Sequence, residues 1–451
     1  MAVLGKPKSV TCTCYELGHT WTPSCLRAST DVLLEVLKQA LKIYGTLYTV
    51  AGILKKRDLR YFKEKLLREI AQSVLFLTTN GTLFISFFCI WRKLLGRFFY
   101  STTGFVAAAS ASLTAILLER KSRRGLLAIY MANVATETAY RMVLSRGWIK
   151  PVKHGEVLLF SIASAIYLYF FRKGHLAEQT KGALSFLVGK DELPIAEREE
   201  GPNHRRHGNT LISRLSESST FQRINKSLQT TPKHFLCQHS YGCVHYVTKS
   251  FIKMFGLGYL VQGGVKLLGA LPRIYRNPSA VWHAIKHQDN FKLGAFLGCF
   301  SAIFKIVNCL LRWLRNKDSE VHGLLAGFLA GWSMLWYKSS TIALYTAYKL
   351  AEVLYFKGIS KGLLPYIRCA DIIIYSISTA FVFHVAVFEP HNLRPAYWNF
   401  LLKVTGNKFG TMNRRLLEPL YKDAARIAPD FWPDYDMRYT SLTKDSLLRR
   451  S

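Results

Sequence analysis

Five stretches of this chain run without an Asp, Glu, Lys or Arg: Ile70–Trp91, Phe98–Leu118, Val157–Phe171, Val321–Tyr337 and Ile372–Phe388. Crossing the hydrocarbon core of a bilayer takes roughly 20 helical residues, range about 17–25. The first two runs, 22 and 21 residues long, reach that length outright. The others, of 15, 17 and 17 residues, reach it with flanking Lys, Arg and Tyr side chains that snorkel to the interface. Helices buried in soluble proteins seldom carry apolar runs beyond about 14 residues. The expected fold class is therefore all-α, a polytopic membrane helical bundle.

Charge supports this reading. The 451 residues include 61 Lys or Arg against 28 Asp or Glu, a net charge of +33. On a chain that is 50% hydrophobic, such a balance leaves a nucleic-acid binder or a membrane protein with basic loops. A nucleic-acid binder would gather its cations on one face of a polar fold. Here they fall in short clusters between the apolar runs, so the expected partner is a bilayer with anionic lipids, and no nucleic acid. Residues 1–40 contain neither a compact apolar signal core nor an Arg/Ser-rich amphipathic presequence, so targeting is expected to be internal.

The chain also resembles itself. Leu41–Tyr48 matches Ile252–Tyr259, and Gly81–Phe87 matches Gly294–Phe300. Ala107, Ala111 and Ala115 fall on Gly323, Gly327 and Gly331; Tyr130, Glu137 and Tyr140 fall on Tyr345, Glu352 and Tyr355; and Glu156–Ile162 falls on Asp371–Ile377. The offset stays nearly constant, as a tandem duplication requires. The expected organisation is a Cys-rich segment (1–35), a first membrane repeat (36–173), a polar basic linker (174–246), a second membrane repeat (247–388) and a basic tail (389–451). Each repeat offers one shorter helical segment, Leu41–Leu54 or Phe251–Leu268, then four stronger ones. These are about 71–91, 103–118, 125–142 and 156–172, with partners at 292–313, 321–337, 339–357 and 371–388. With four spans per half the repeats are parallel, and with five they are inverted. Basic clusters on both sides leave the choice open.

Three constellations are candidates for function. Ala107, Ala111, Ala115 and Gly323, Gly327, Gly331 form small-residue ladders on one helix face, suited to close packing within the chain or to a dimer contact. Glu137 with Arg141, and Lys349 with Glu352, place a same-face ion pair in the third strong helix of each half, a candidate intramembrane polar site. Cys12, Cys14, His19 and Cys25, and again His234, Cys237, His239, Cys243 and His245, are zinc-type ligands without the usual paired spacing, the alternative being free thiols. Cys89, Cys299 and Cys309 lie in apolar runs and read as packing residues. His283 and His287 form an isolated pair, and no nucleophile elbow, phosphate-binding loop or zinc-protease motif occurs, so no enzyme and no catalytic residues are expected.

Cys14-Tyr-Glu-Leu-Gly-His-Thr-Trp21 with Pro23-Ser-Cys25 resembles the Cys-rich start of the transmembrane protein 135 family. So do Glu119–Leu126, Ile129–Asn133 with Ala135–Thr138, Ile373–Ala380, and Leu393-Arg-Pro395 with Tyr397-Trp398. The Gly ladder is similar, more remotely, to the mitochondrial inner-membrane translocase channel family. The resemblance implies a multipass protein of mitochondrial and peroxisomal membranes. It further implies a role in the fission–fusion balance, with fission promoted through a dynamin-related GTPase, and in peroxisome organisation and lipid metabolism. The alternative suggested by the duplication is a transporter or pore for a lipid or small metabolite.

Overall fold

The computed structural model describes residues 9–54, 57–194, 226–274, 277 and 279–443. The central part of the basic linker, 195–225, lies outside the described residues. Among the described residues, twelve principal helices carry the fold: α1 (Cys25–Leu54), α2 (Leu66–Leu95), α3 (Ala107–Leu118), α4 (Lys121–Ser145), α5 (Gly155–Arg172), α6 (Glu178–Val188), α7 (Cys243–Ile274), α8 (Gln288–Arg315), α9 (Val321–Gly331), α10 (Ser340–Ser360), α11 (Ala370–Phe388) and α12 (Pro395–Val404). The sole sheet among the described residues pairs Ser9–Val10 with Phe98–Phe99.

Helix ends follow from local sequence. α2 stops at Gly96, which adopts a left-handed φ of 69°, with Arg92 and Lys93 in the last turn facing the negative end of the helix dipole. α8 stops in the same way at Asn316, φ 48°, with Arg312 and Arg315 in its last turn. α10 starts where the Ser339 hydroxyl accepts from the Ile342 amide at 3.3 Å.

Among the described residues, four helices are long and apolar enough to cross a membrane: Leu66–Leu95, Gly155–Arg172, Val281–Arg315 and Ala370–Phe388. Thr102–Leu118 and Val321–Leu335 are apolar but shorter. α4 and α10, counted among the strong segments in the sequence, form as helices but carry charges that keep them off this set. The apolar helices leave large side chains uncovered, among them Leu75 and Leu94 on α2, Leu310 and Leu314 on α8, and Ile373 and Ile377 on α11. Acyl chains are the solvent that such faces require.

The helices form two compact units, Met1–Pro151 with Tyr366–Ser451, and Val152–Pro365. Their limits fall in the loops before α5 and α11 rather than in the linker. In the first unit α2 packs on α1 and α3, and α11 packs on α3 and α4. In the second unit α8 packs on α7 and α9, and α5 packs on α9 and α10. Thus α5, from the first half of the sequence, packs in the second unit, and α11, from the second half, packs in the first.

The small residues explain these seams. A Cβ added to Gly323 would lie 2.7 Å from the Leu168 carbonyl oxygen, and one on Gly327 2.7 Å from that of Ser164. A Cβ on Gly331 would meet the Ser161 Cα at 2.4 Å. The glycine face of α9 is therefore pressed on the α5 backbone within the chain. In the first unit Ala107, Ala111 and Ala115 are fully buried on α3, where Ser112 Oγ donates to the Ser376 carbonyl of α11 at 3.3 Å. Gly327→Val is expected to push α5 from α9 and cost about 1–3 kcal/mol, whereas Gly264→Ala, with open space around it, should be neutral or stabilising. Thermal unfolding in detergent distinguishes the two.

Candidate metal centres and their surroundings

The N-terminal segment approaches α1 through a one-turn helix, Cys14–Leu17, closed by a capping box in which Thr13 and Glu16 satisfy each other's amides. Residues 11–12 are tied to α2, because Arg92 donates to the Cys12 carbonyl at 2.9 Å and to the Thr11 carbonyl at 3.0 Å. This path carries Cys14, His19 and Cys25 to Cys89 on α2, and one donor atom from each lies within 4.8 Å of all the others.

The second unit repeats the arrangement. Cys237, His239 and Cys243 precede or begin α7 and converge on Cys309 of α8, again within 4.8 Å. Cys237 Sγ lies 3.9 Å from the sulfurs of Cys309 and Cys243, and His239 Nε2 lies 3.7 Å from Cys309 Sγ. These spacings far exceed a disulfide bond, and all nine cysteines are free thiols. Cys89 and Cys309 each sit six residues before the end of their helix.

Both histidines are oriented by their other nitrogen. His19 Nδ1 lies 2.7 Å from the Thr22 carbonyl, and His239 Nδ1 lies 2.5 Å from that of Tyr241. A carbonyl accepts, so Nδ1 carries the proton and Nε2 presents its lone pair to the thiols. His19 Nε2 is buried without a hydrogen-bond partner. Hydrogen bonding with Cys89, with the His19 ring close by, brings the Cys14 thiol down to about 5 against the effect of burial. Hydrogen bonding with Cys309 and with His239 bring Cys237 down to about 3. Each four-residue group could hold a metal ion.

Some expected ligands lie elsewhere. Cys12 is outside the first cluster, its thiol pushed up to about 12 by burial with Glu16 adding to the effect. His234 Nε2 pairs with Asn316 Oδ1 at 2.9 Å, and His245 packs edge-on against Tyr241. Cys89 and Cys309, read from sequence as packing residues, instead lie in the two groups that could hold a metal ion.

Beside the second cluster lies a buried charge network with no forecast in the sequence reading. Glu192 receives Arg312 at 2.8 Å and Arg172 at 3.5 Å, and Asp318 also contacts both arginines. Tyr246 joins network and cluster, stacking on His239 with ring centroids 4.4 Å apart and donating to Glu192 at 3.4 Å. Burial alone would raise the Asp318 carboxyl, but Arg172 and Arg312 outweigh it and hold it below the usual range. Its folded pKa is therefore depressed, and the stability it contributes is lost as pH falls below about 4 through that value. Acid titration of Asp318→Asn should show a weaker decline than the parent.

Glu137 and Glu352 have unequal settings. Glu137 is buried and receives Arg141 at 2.9 Å and Arg394 as a second partner. Glu352 receives Lys349 at 2.6 Å with its side chain 37% exposed. The first unit also encloses an apolar cavity of about 150 Å³, lined by Phe76, Phe84, Tyr375, Phe383 and Phe400 among others. Its polar lining includes Lys408 and Asn80, whose amide donates to Tyr375 at 2.8 Å. Neither Glu137 nor Arg141 lines it.

Residues 11–144 match the family described as the N-terminal cysteine-rich region of transmembrane protein 135. Residues 243–348 match the Tim17/Tim22/Tim23/Pmp24 family. No solved structure matches the chain. The first match spans the approach segment through most of α4, and the second runs from the start of α7 into α10. With its apolar helices and these two matches, the chain is a multipass organelle-membrane protein whose residues 11–144 match the Cys-rich region of transmembrane protein 135 and whose residues 243–348 match the Tim17-type family.

Proposed function

We propose that the chain is a non-enzymatic organiser of mitochondrial and peroxisomal membranes. In this reading it promotes fission through a dynamin-related GTPase and supports peroxisome organisation and lipid metabolism, and zinc is the metal of its Cys/His clusters. The family resemblance supplies the organelles and the process. The observation that carries the reading over a transporter is the state of the interior polar groups. Glu137 is saturated by two arginines, and the cavity of the first unit is apolar, so no free carboxylate lines it. Such an interior suits holding lipid chains rather than passing ions. The basic segments are suited to anionic headgroups, each Lys or Arg near that surface contributing on the order of 1 kcal/mol.

In cells lacking the chain, re-expression should restore mitochondrial division only while the GTPase is active. Purified protein in liposomes should prefer anionic lipid, lose that preference in high salt, and show no solute flux. The Tim17-type match favours the second reading, a transporter or pore for a lipid or small metabolite; reproducible flux with no effect on division would decide for it.

A further inference from the structure

The zinc reading can be taken further, because the two clusters share a ligand set but differ in surroundings. We propose that each cluster binds one zinc ion through three thiolates and one imidazole, and that the first ion is an exchangeable clasp that keeps the C-terminal tail docked on the N-terminal segment. This rests on the zinc reading above.

The geometry fits one ion per cluster. With Zn–S near 2.3 Å and Zn–N near 2.0–2.1 Å, the edges of a tetrahedral site come to about 3.8 Å between sulfurs and about 3.6 Å between sulfur and nitrogen. The distances in the second unit are 3.9, 3.9 and 3.7 Å. A two-iron cluster would spread its ligands over two metals and set them wider apart. Four protein donors close the coordination sphere, as in a structural site. In the first cluster the independent sign is His19, fully buried, with Nδ1 committed to the Thr22 carbonyl and Nε2 lacking any protein partner. A buried nitrogen in that state needs a ligand.

The clusters differ in access. In the second, Cys237, His239 and Cys309 are buried and Cys243 is half-buried. In the first, Cys25 is exposed and Cys14 half-buried. A competing chelator therefore reaches the first ion from the Cys25 side.

They also differ in what they hold. Between Cys14 and His19, the Leu17 carbonyl accepts from the Asn413 amide at 2.9 Å and the Tyr15 hydroxyl accepts from the Asp436 amide at 2.8 Å. Just after His19, Thr20 donates to the Thr411 carbonyl at 2.9 Å. Tyr435 packs edge-on against Tyr15 with centroids 5.5 Å apart. The tail thus stands on a loop whose two ends are metal ligands. Emptying the site frees that loop and removes the platform, whereas the second unit contains none of the tail.

The test uses the full chain in nanodiscs, with zinc counted by elemental analysis and chelator-driven release followed by absorbance. Two zinc ions per chain are expected, released in two phases. Cys89→Ser should retain one ion and lose the fast phase; Cys309→Ser should retain one and lose the slow phase. Trypsin should cut early at Arg415, Lys422, Arg426 or Arg438 in Cys89→Ser and in parent protein after the fast phase, but not in Cys309→Ser. If Cys89→Ser does not fold, Cys25→Ser, which alters an exposed side chain, should give the same fast-phase loss, and Cys89→His should restore tail protection. Absence of bound zinc would overturn the metal reading and the clasp together. Two zinc ions with a tail equally protected in all states, or equally freed by Cys309→Ser, would overturn the clasp alone.

Discussion

Replacing Glu192 with alanine is expected to destabilise the second unit by about 3–5 kcal/mol, a large share of the margin by which a folded domain is stable. The carboxylate is almost wholly buried between Arg172 and Arg312, whose side chains are 6% and 2% exposed. Removing it leaves two guanidinium groups in a poorly solvated site, with Asp318 shared between them and the Asn308 side-chain oxygen accepting from Arg172 at 2.6 Å. Tyr246 loses an acceptor at the same time, and its ring is the one stacked on His239. Metal retention by the second cluster should therefore weaken along with stability. Thermal unfolding in detergent and metal content measure the two effects; an unchanged midpoint would show that the arginines find other acceptors.

Glu137→Gln is expected to be nearly as damaging, and Glu352→Gln to be mild. The first change breaks two ion pairs around a buried carboxylate and strands Arg394 beside it, a loss of about 3 kcal/mol or more. The second breaks one pair between side chains that are each more than a third exposed, worth about 0–1 kcal/mol where water reaches it. Folded yield after membrane insertion should fall for the first variant and hold for the second. If both variants fold normally and both abolish flux in liposomes, the glutamates belong to a transport path and not to the scaffold.

Much of the helical frame was legible in the sequence because lipid imposes a simple rule: a run without charges must be helical and must be long. Ile70–Trp91 lies inside Leu66–Leu95, and Ile372–Phe388 nearly coincides with Ala370–Phe388. The first segment of each half was read as too short. α1 begins at Cys25 and α7 at Cys243, in polar sequence whose helicity depends on packing against α2 and α8. Three of the four residues of each candidate metal site were legible too. Cys14, His19 and Cys25 lie close in sequence, but their fourth partner arrives through helix packing, and apolar flanks disguised Cys89 as filler. The signal that would have exposed it was available: Cys89 and Cys309 are separated by 220 residues, as are His19 and His239. The unequal fate of the two glutamates was not legible, since it depends on Arg394, which lies 257 residues from Glu137.

The exchange of α5 and α11 bears on how the protein is made. When the ribosome has delivered residues 1–173, the alanine face of α3 still waits for a helix that begins at residue 370. Neither bundle can be finished from its own stretch of message, so the early helices must idle in the bilayer until translation is nearly complete. Closing contacts over such separations is slow, and the waiting surface is open to wrong partners. Membrane chaperones therefore matter more for this chain than for one whose halves mature in turn. A chain severed between α6 and α7 would yield two pieces that each donate a helix to the other, so co-expressed fragments should rescue one another while either alone is degraded.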